Sequence, residues 1–254
     1  MPEPMRIHRA LARAGIASRR EAERMISEGR ITVNGEPARI GQSVDPRRDR
    51  VQVDSRDVTL AEPERVWLAL NKPAGVVTTK SDPQRRRTVF DFVPNVPGLT
   101  YVGRLDYLTE GLVLLTNDGD AAHRLTHPSS SVERVYVATV RGNVRQAAEE
   151  AREGVELEDG PVRPAWVHVR ALGARQWEFE VALREGRNRE VRRLCEALGL
   201  QVERLVRTRF GPVTLGKLAS GVSRNLTARE RILLTTPDAE ETGPPTRKQR
   251  RRSG

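Results

Sequence analysis

Asp106 is the residue whose type and setting point most directly to chemistry. It lies two positions after Arg104 and is the first carboxylate of GRLDYLTEGLVLLTNDG, residues 103–119. A carboxylate held beside a guanidinium stays ionised and can act as a nucleophile. The residues around it form neither a metal-binding pattern nor a hydrolytic triad. The segment therefore predicts a nucleophilic carboxylate and leaves its target open.

Three further features accompany this carboxylate along the chain. NKPAGVVTT, residues 71–79, reads as a strand that runs into a Pro/Gly turn. Tyr136 lies in the strand-like ERVYV, and the basic EGRNREVRRL, residues 185–194, leads into a predicted helix. His123 and His127 are spaced i,i+4 but lack an HExxH frame, so we interpret that pair as structural.

The composition favours a nucleic acid as partner. The chain has 254 residues, a net charge of +10 and a pI of about 10.7. Its few lysines are outnumbered by arginine, which suits phosphate pairing and base stacking but also follows from a GC-rich genome. A GC-rich genome does not explain the net positive charge, which is the firmer indication. The lysines are Lys72, Lys80, Lys217 and Lys248.

Cysteine content and hydropathy exclude several kinds of protein. Cys195 is the single cysteine, which excludes an internal disulfide and a Cys-rich zinc site. The start, Met-Pro-Glu-Pro, lacks the apolar core of a signal peptide, and no apolar run approaches membrane-spanning length. We therefore expect a cytoplasmic protein with no membrane partner.

Residues 1–62 are predicted to form a small basic module with its linker. The apolar residues of positions 6–13 fall on one helical face. Ser18 and Glu21 then read as a capping box that opens a second helix, ending near Ser27. The other predicted features are strands at 31–33 and 51–53, a tight turn at Asn34-Gly35 and a polar linker at 54–65.

Residues 63–238 are predicted to form a larger module. Its strands and helices lack regular βαβ spacing, which favours an α+β fold. Residues 239–254 are basic and almost without aliphatic side chains, which predicts a disordered tail. The predicted strands are 66–70, 112–116, 135–140, 166–169, 177–182 and 202–206, and the predicted helices are 119–125, 145–152, 188–198 and 227–232.

The small module resembles the S4 RNA-binding domain. The resemblance rests on LARAGIASRREAERMISEGRITVNG, which orders two short helices with arginines near their starts before a Val-Asn-Gly turn. It implies the S4 (α-L) fold and RNA as the partner, with Arg19 and Arg20 among the RNA-contacting residues.

The larger module resembles the pseudouridine synthases, in the RsuA/RluB-type branch that carries an N-terminal S4 domain. NKPAGVVTT, GRLDYLTEGLVLLTNDG and EGRNREVRRL occur in that order, and the similarity spans about residues 6 to 235. The resemblance implies a mixed, mainly antiparallel sheet flanked by helices. It also implies isomerisation of a uridine within RNA, with no cofactor and no metal.

The substrate and the oligomeric state are likewise expectations from this resemblance. The S4 stretch ARAGIASRREAE is closest to RluB-like enzymes, which implies large-subunit (23S) ribosomal RNA, or a ribosomal precursor particle, as the partner. The family favours a monomer.

The resemblance also assigns site residues. Asp106 matches the catalytic aspartate, which either attacks C1′ of the ribose or takes the 2′ proton. Arg192 matches the basic position that pairs with this aspartate. Arg187 is its rival for that role and is otherwise an RNA-contacting residue. Tyr136 matches the active-site tyrosine, whose ring can stack on the extruded uracil. Arg104 contacts phosphate or fills the space left by the base, or else forms a structural ion pair in its own turn.

RNA contacts must compensate for extruding the target base, which costs a few kcal/mol. Arg85, Arg86 and Arg87 follow the turn at Asp82-Pro83 and are predicted to contact phosphates. The alternative interpretation is a solvated run of charge.

Three other functions remain in view. The first is a small-subunit (16S) rRNA pseudouridine synthase. The second is a non-catalytic S4-type protein of ribosome assembly, which the joint presence of Asp106, Tyr136 and Arg192 disfavours. The third is a retaining glycosidase, which needs a second carboxylate; only Glu110 lies near, in a predicted turn.

Overall fold

The computed structural model describes residues 4–61, 63–127, 129–173 and 175–236. The fold is α+β, as the sequence predicts, with a small N-terminal module and a larger module built on a nine-stranded sheet. The elements of the small module are β1 (Met5–Arg6), α1 (Ile7–Arg13), α2 (Arg19–Ser27), β2 (Ile31–Val33), β3 (Glu36–Pro37), β4 (Ser43–Val44), β5 (Val51–Val53) and β6 (Arg56–Val58).

Helices α1 and α2 pack on the short strands of the small module. The predicted apolar face of α1 is buried, and Gly15 ends the helix with a left-handed φ of 75°. The Ser18 hydroxyl caps α2 by accepting the Glu21 amide at 3.2 Å. The Glu21 carboxylate pairs with Arg24 at 2.6 Å instead of completing the box, so half of the predicted capping box forms.

The segment predicted as a polar linker, residues 54–65, is structured in its first part. Strand β6 returns antiparallel onto β5, and Asp54 and Ser55 close the turn with φ values of 49° and 63°. Leu60 is buried in the small core. The linker prediction was wrong here because Asp and Ser can adopt the left-handed conformation that a two-residue hairpin turn requires.

Every strand and helix predicted for the larger module is present, with its ends shifted by a few residues. The elements are β7 (Trp67–Lys72), a 3₁₀ helix (Val89–Phe92), β8 (Thr100–Val102), β9 (Glu110–Thr116), α3 (Gly119–Thr126), β10 (Arg134–Arg141), α4 (Val144–Glu153), β11 (Val155–Leu157), β12 (Gly160–Val162), β13 (Trp166–Ala171), β14 (Trp177–Leu183), α5 (Glu190–Ala197), β15 (Gln201–Phe210), β16 (Val213–Thr214), β17 (Ser223–Asn225) and α6 (Ala228–Thr235).

The large sheet has the order β13-β14-β10-β15-β9-β7-β17, with β8 paired to β9 and β16 to β15. Its neighbours are antiparallel except β9 and β15, which run parallel. At this pairing Gly111 lies opposite Arg207 with a φ of 101°, and a Cβ on it would come within 2.3 Å of the Arg207 carbonyl oxygen. A glycine is therefore required where the loop carrying Asp106 enters the sheet.

Helices cover the sheet and bury its apolar side chains. Helices α4 and α5 contribute Ala147 and Leu194 to one cluster with β10 and β14, and α3 and α6 contribute Leu125 and Leu234 to a second. Close packing of this kind makes the sheet a rigid support for the loops at its edge.

Two sequence predictions concern membrane-spanning segments and the C-terminal tail. Within the described ranges, every helix is too short or too polar to cross a membrane. The predicted disordered tail, residues 239–254, lies outside the described residues.

Candidate active site

A cavity of about 600 Å³ opens where the loop before β9, strands β10 and β15 and the loop before α5 meet. Asp106, Tyr136, Arg192, Arg104 and Arg187 all line it. The topology thus brings three residues proposed for catalysis and two proposed for RNA contact to one place, although 88 positions separate Arg104 from Arg192.

The NKPAGVVTT segment braces the loop that carries Asp106. The Thr78 hydroxyl donates to the Leu105 carbonyl at 2.9 Å and accepts from the Leu105 amide at 3.3 Å. The Gly75 amide donates to the Tyr107 carbonyl at 2.8 Å. The backbone groups of both chain neighbours of Asp106 are therefore hydrogen-bonded to the NKPAGVVTT segment, which keeps the half-buried Asp106 at the cavity wall.

Lys72, at the end of β7, closes the buried side of this loop. Its side chain is fully buried. The ammonium donates to the carbonyl oxygens of Thr109 at 2.7 Å, Pro73 at 2.9 Å and Tyr107 at 3.3 Å. Burial lowers the pKa of Lys72 to about 8, against the opposing charges of two nearby carboxylates. The lysine thus ties the strand to the loop next to Asp106.

Arg192 reaches the same loop from α5. Its Nη2 lies 3.5 Å from the Leu108 carbonyl oxygen, and its buried Nε lacks a hydrogen-bond partner among the described residues. Burial and the charge of Arg189 lower the pKa of Arg192, while the charge of Asp106 opposes that shift. In the described part of the chain Arg192 and Asp106 interact through their charges without a direct ion pair, because the guanidinium is turned towards the Leu108 carbonyl.

Arg187, the rival for this role, is engaged elsewhere. Its Nη1 and Nη2 donate to the carbonyl oxygens of Gly160 at 2.9 Å and Pro161 at 3.0 Å. Its Nε pairs with Glu185 at 2.6 Å. These bonds fasten the β11–β12 hairpin to the basic segment. Arg192 is therefore the better candidate for the arginine that acts on Asp106.

Tyr136 lies in β10, opposite Val181 of β14 and Arg207 of β15. The side chain is half-buried and packs against hydrophobic clusters on both sides. Because the residue also lines the cavity, its aromatic ring is firmly supported while part of the residue remains accessible to a ligand.

Three buried charged residues at the cavity were missed by the sequence reasoning: Arg134, Glu190 and Arg207. Arg207 donates to the Leu112 carbonyl at 2.8 Å, and Arg134 donates to four backbone carbonyls, including that of Leu125. Burial lowers the pKa of Arg134 and raises that of Glu190. Arg134 and Arg207 could have been found from the sequence, because each is a charged residue at a strand position whose side chain is expected to point inward.

Glu110, the carboxylate considered for a glycosidase, pairs bidentately with Arg204 at 2.7 and 2.8 Å. It does not line the cavity. The described ranges contain no group of three or more His, Cys, Asp or Glu side chains placed to hold a metal ion.

The three arginines after the Asp82-Pro83 turn lie outside the cavity, and each has different surroundings. Arg86 pairs with Asp82 at 2.7 Å and helps to lower the pKa of Asp82 to about 2. The Arg87 guanidinium lies 4.3 Å from the ring centre of Phe92. Arg85 is exposed with a φ of 53°. The segment is therefore an ordered, basic surface loop.

The remaining RNA-contact candidates are exposed. Arg104 is exposed at the wall of the cavity. Arg19 and Arg20 are exposed at the start of α2, and Arg19 lines a second cavity between the two modules.

Comparison with known proteins gives two family matches and several relatives. The family model described as RNA pseudouridylate synthase matches residues 66–197, and the S4 domain model matches residues 5–51. An uncharacterised RNA pseudouridine synthase of Mycobacterium tuberculosis is 47% identical over 236 residues, which cover 90% of this chain and 92% of that protein.

A second relative and a solved structure extend the comparison. Ribosomal large subunit pseudouridine synthase B of Pasteurella multocida is 44% identical over 223 residues, which cover 85% of this chain and 64% of that protein. A crystal structure of a pseudouridylate synthase superposes with a TM-score of 0.61 at 30% identity, covering 91% of this chain and 99% of that one. The chain therefore belongs to the RNA pseudouridylate synthase family, as an isomerase of the RsuA/RluB type with an N-terminal S4 domain.

Proposed function

We propose that this enzyme converts one specific uridine of large-subunit (23S) ribosomal RNA into pseudouridine, with Asp106 acting on the flipped-out nucleotide. The observation that carries the proposal is the single cavity shared by Asp106, Tyr136 and Arg192. The choice of RNA is supported by relatives that are large-subunit pseudouridine synthases.

The isomerisation is balanced within the nucleotide. The bond between N1 and C1′ breaks, the uracil turns, and a bond forms between C5 and C1′. The proton on C5 leaves, and N1 gains a proton. Asp106 either attacks C1′ to hold the ribose covalently or takes the 2′ proton, and both roles need an ionised carboxylate at the ribose. Exclusion of water from the cavity by the bound RNA protects the intermediate from hydrolysis.

Arg192 and Tyr136 support this chemistry in different ways. The positive charge of Arg192 lies near Asp106 without a direct ion pair, which leaves the carboxylate oxygen atoms free for the sugar. Tyr136 offers a supported ring on which the detached uracil can stack while it turns.

RNA contacts at the cavity mouth compensate for extrusion of the base. Arg104, exposed beside Asp106, is placed to contact a phosphate or to fill the space that the base leaves. The exposed Arg19, Arg20 and Arg85 add positive charge that attracts the backbone. We infer that the enzyme acts as a cytoplasmic monomer on ribosomal RNA or a ribosomal precursor particle.

Mapping of pseudouridines tests the function. In a strain that lacks the gene, carbodiimide-dependent reverse-transcription stops should disappear at one uridine of 23S rRNA and return when the wild-type gene is restored. Loss of a stop in 16S rRNA instead would assign the small subunit. Unchanged stops in both RNAs, with accumulating ribosomal precursors, would support the non-catalytic assembly role.

A further inference from the structure

A second cavity of about 600 Å³ lies between the two modules. One wall is the turn between α1 and α2, and the other is formed by β8 and the start of α3. The modules meet closely here: a Cβ on Gly15 would come within 2.5 Å of Pro97 and 2.9 Å of the Gly98 amide nitrogen. The inter-module cleft is therefore bordered by a close contact between the two modules.

The charges that line the inter-module cleft are mainly positive. Arg9, Arg13 and Arg19 come from the S4 module, and Lys80 comes from the catalytic module. Asp120 is the single acidic residue of the lining. A concave surface with an excess of cations focuses positive potential and attracts anions.

Asp120 already pairs with two of these cations. It lies 2.6 Å from Arg9 and 3.5 Å from Arg19. Burial opposes its ionisation, but the hydrogen bond from Arg9 and the surrounding arginine charges outweigh burial and lower the pKa of Asp120. The arginines of the cleft thus hold an anionic oxygen group in the free protein.

Lys80 is the cation that the catalytic module contributes to the cleft. No carboxylate pairs with Lys80 in the part of the chain that the structure describes; its side chain is exposed to solvent at the cleft, and partial desolvation by the surrounding protein lowers the pKa of its ammonium. An ammonium without a carboxylate partner can form a charge-assisted hydrogen bond to an added anion. The starts of α2 and α3 also line the cleft, and helix N-termini favour negative charge.

Helix α3 connects the inter-module cleft to the active site. Gly119 and Asp120 at its start line the cleft, and Thr126 at its end lines both cavities. The eight residues of α3 span about 12 Å at 1.5 Å per residue. That length matches about three to four stacked nucleotides at roughly 3.4 Å each.

We propose that the inter-module cleft binds a backbone phosphate of the same RNA strand, a few nucleotides from the target uridine, with Lys80 as its principal cation. This inference rests on the proposed function, since it takes RNA as the substrate. The S4 module then acts as one wall of a phosphate site that sets the distance from the anchored backbone to the catalytic cavity.

Steady-state kinetics with unmodified 23S rRNA transcript labelled with [5-³H]uridine tests the proposal, because the reaction releases the C5 hydrogen. Lys80→Gln should raise KM and leave kcat unchanged. Loss of one phosphate contact reduces the salt slope by about 0.7 to 0.9, so the deficit in kcat/KM should be about threefold smaller at about 200 mM than at about 50 mM salt. Lys80→Arg should restore both parameters.

Lys217→Gln is the matched control, since Lys217 is exposed and lies outside both cavities. A Lys80→Gln enzyme that matches Lys217→Gln at both salt concentrations would overturn the proposal, and so would a loss confined to kcat. Failure of the proposed function is a different result: the wild-type enzyme would then release no tritium from this RNA.

Discussion

Replacing Lys72 by methionine tests how its buried ammonium affects both activity and stability from beneath the loop that carries Asp106. The ammonium is fully buried and satisfies three backbone carbonyls around Asp106. Methionine keeps the length of the side chain but cannot donate. We expect kcat to fall, because the Pro73 and Thr109 carbonyls would lose the ammonium donor at about 1–3 kcal/mol each and the loop would rearrange, whereas the Tyr107 carbonyl keeps the Gly75 amide.

The pH dependence of stability gives the size of the contribution that Lys72 makes to the free energy of unfolding. Its pKa is about 8 in the folded chain, against 10.5 for an unperturbed lysine. The folded state therefore binds fewer protons than the unfolded state between these values, so the stability contributed by Lys72 rises with pH across that window. A difference of about 2.5 pKa units corresponds to about 3.4 kcal/mol in full, of which about 2 kcal/mol should appear between about pH 7 and about pH 9.5.

Urea unfolding of wild type and Lys72→Met at these two pH values measures this contribution, because effects of other groups cancel in the difference. The wild type should gain about 2 kcal/mol relative to Lys72→Met as the pH rises. Lys217→Met, at an exposed site, should show no such trend. A constant difference between wild type and Lys72→Met would refute the reasoning, since it would mean that the carbonyls keep the lysine pKa at its ordinary value.

Three further predictions concern other parts of the molecule. Gly111→Ala should lower the free energy of unfolding by about 3 kcal/mol or more in chemical denaturation, because the new Cβ meets the Arg207 carbonyl; wild-type stability would contradict the required parallel pairing. Cys195 should resist thiol reagents until the protein unfolds, because burial raises its pKa to about 12, and rapid labelling of the native enzyme would contradict this. Arg192→Gln should lower kcat by about 100-fold with little change in KM, and Arg192→Lys should recover part of the loss; equal activities would remove Arg192 from the site.

Periodicity and capping residues were sufficient to predict the longer helices and strands, whereas short strands such as β8, β11, β12 and β17 were not predicted. The helix after Ser18 and the strands that carry Tyr136 and Trp177 follow from apolar spacing and a short polar cap. The hairpin at Asp54 and Ser55 was missed because left-handed turns at non-glycine residues leave a weak signal in composition.

The order of strands in the sheet could not be predicted from local sequence patterns. The parallel pairing of β9 with β15 joins residues nearly 100 positions apart, and it depends on one glycine. This pairing brings Asp106 and the basic segment before α5 to one cavity. Its existence could be inferred only from the resemblance, since nothing in either segment specifies the other.

Candidate site residues could be chosen where they lay in a motif, but their geometry could not be predicted. Asp106 and Arg192 were chosen from motifs and do share the cavity, but the turn of the Arg192 guanidinium towards the Leu108 carbonyl depends on loop conformation. The buried Glu190 and Arg207 were passed over because a charged residue in an Arg-rich chain reads as a surface residue until its burial is known.

Asp106→Asn tests the central claim most directly, because it keeps the shape of the side chain and removes its charge. With [5-³H]uridine-labelled 23S rRNA transcript, tritium release should fall by at least about 10,000-fold, as for loss of a nucleophile elsewhere. Filter binding of the same RNA should stay within about threefold of wild type, because the phosphate contacts are untouched. Tritium release near the wild-type rate would contradict the assignment of Asp106 as the catalytic carboxylate.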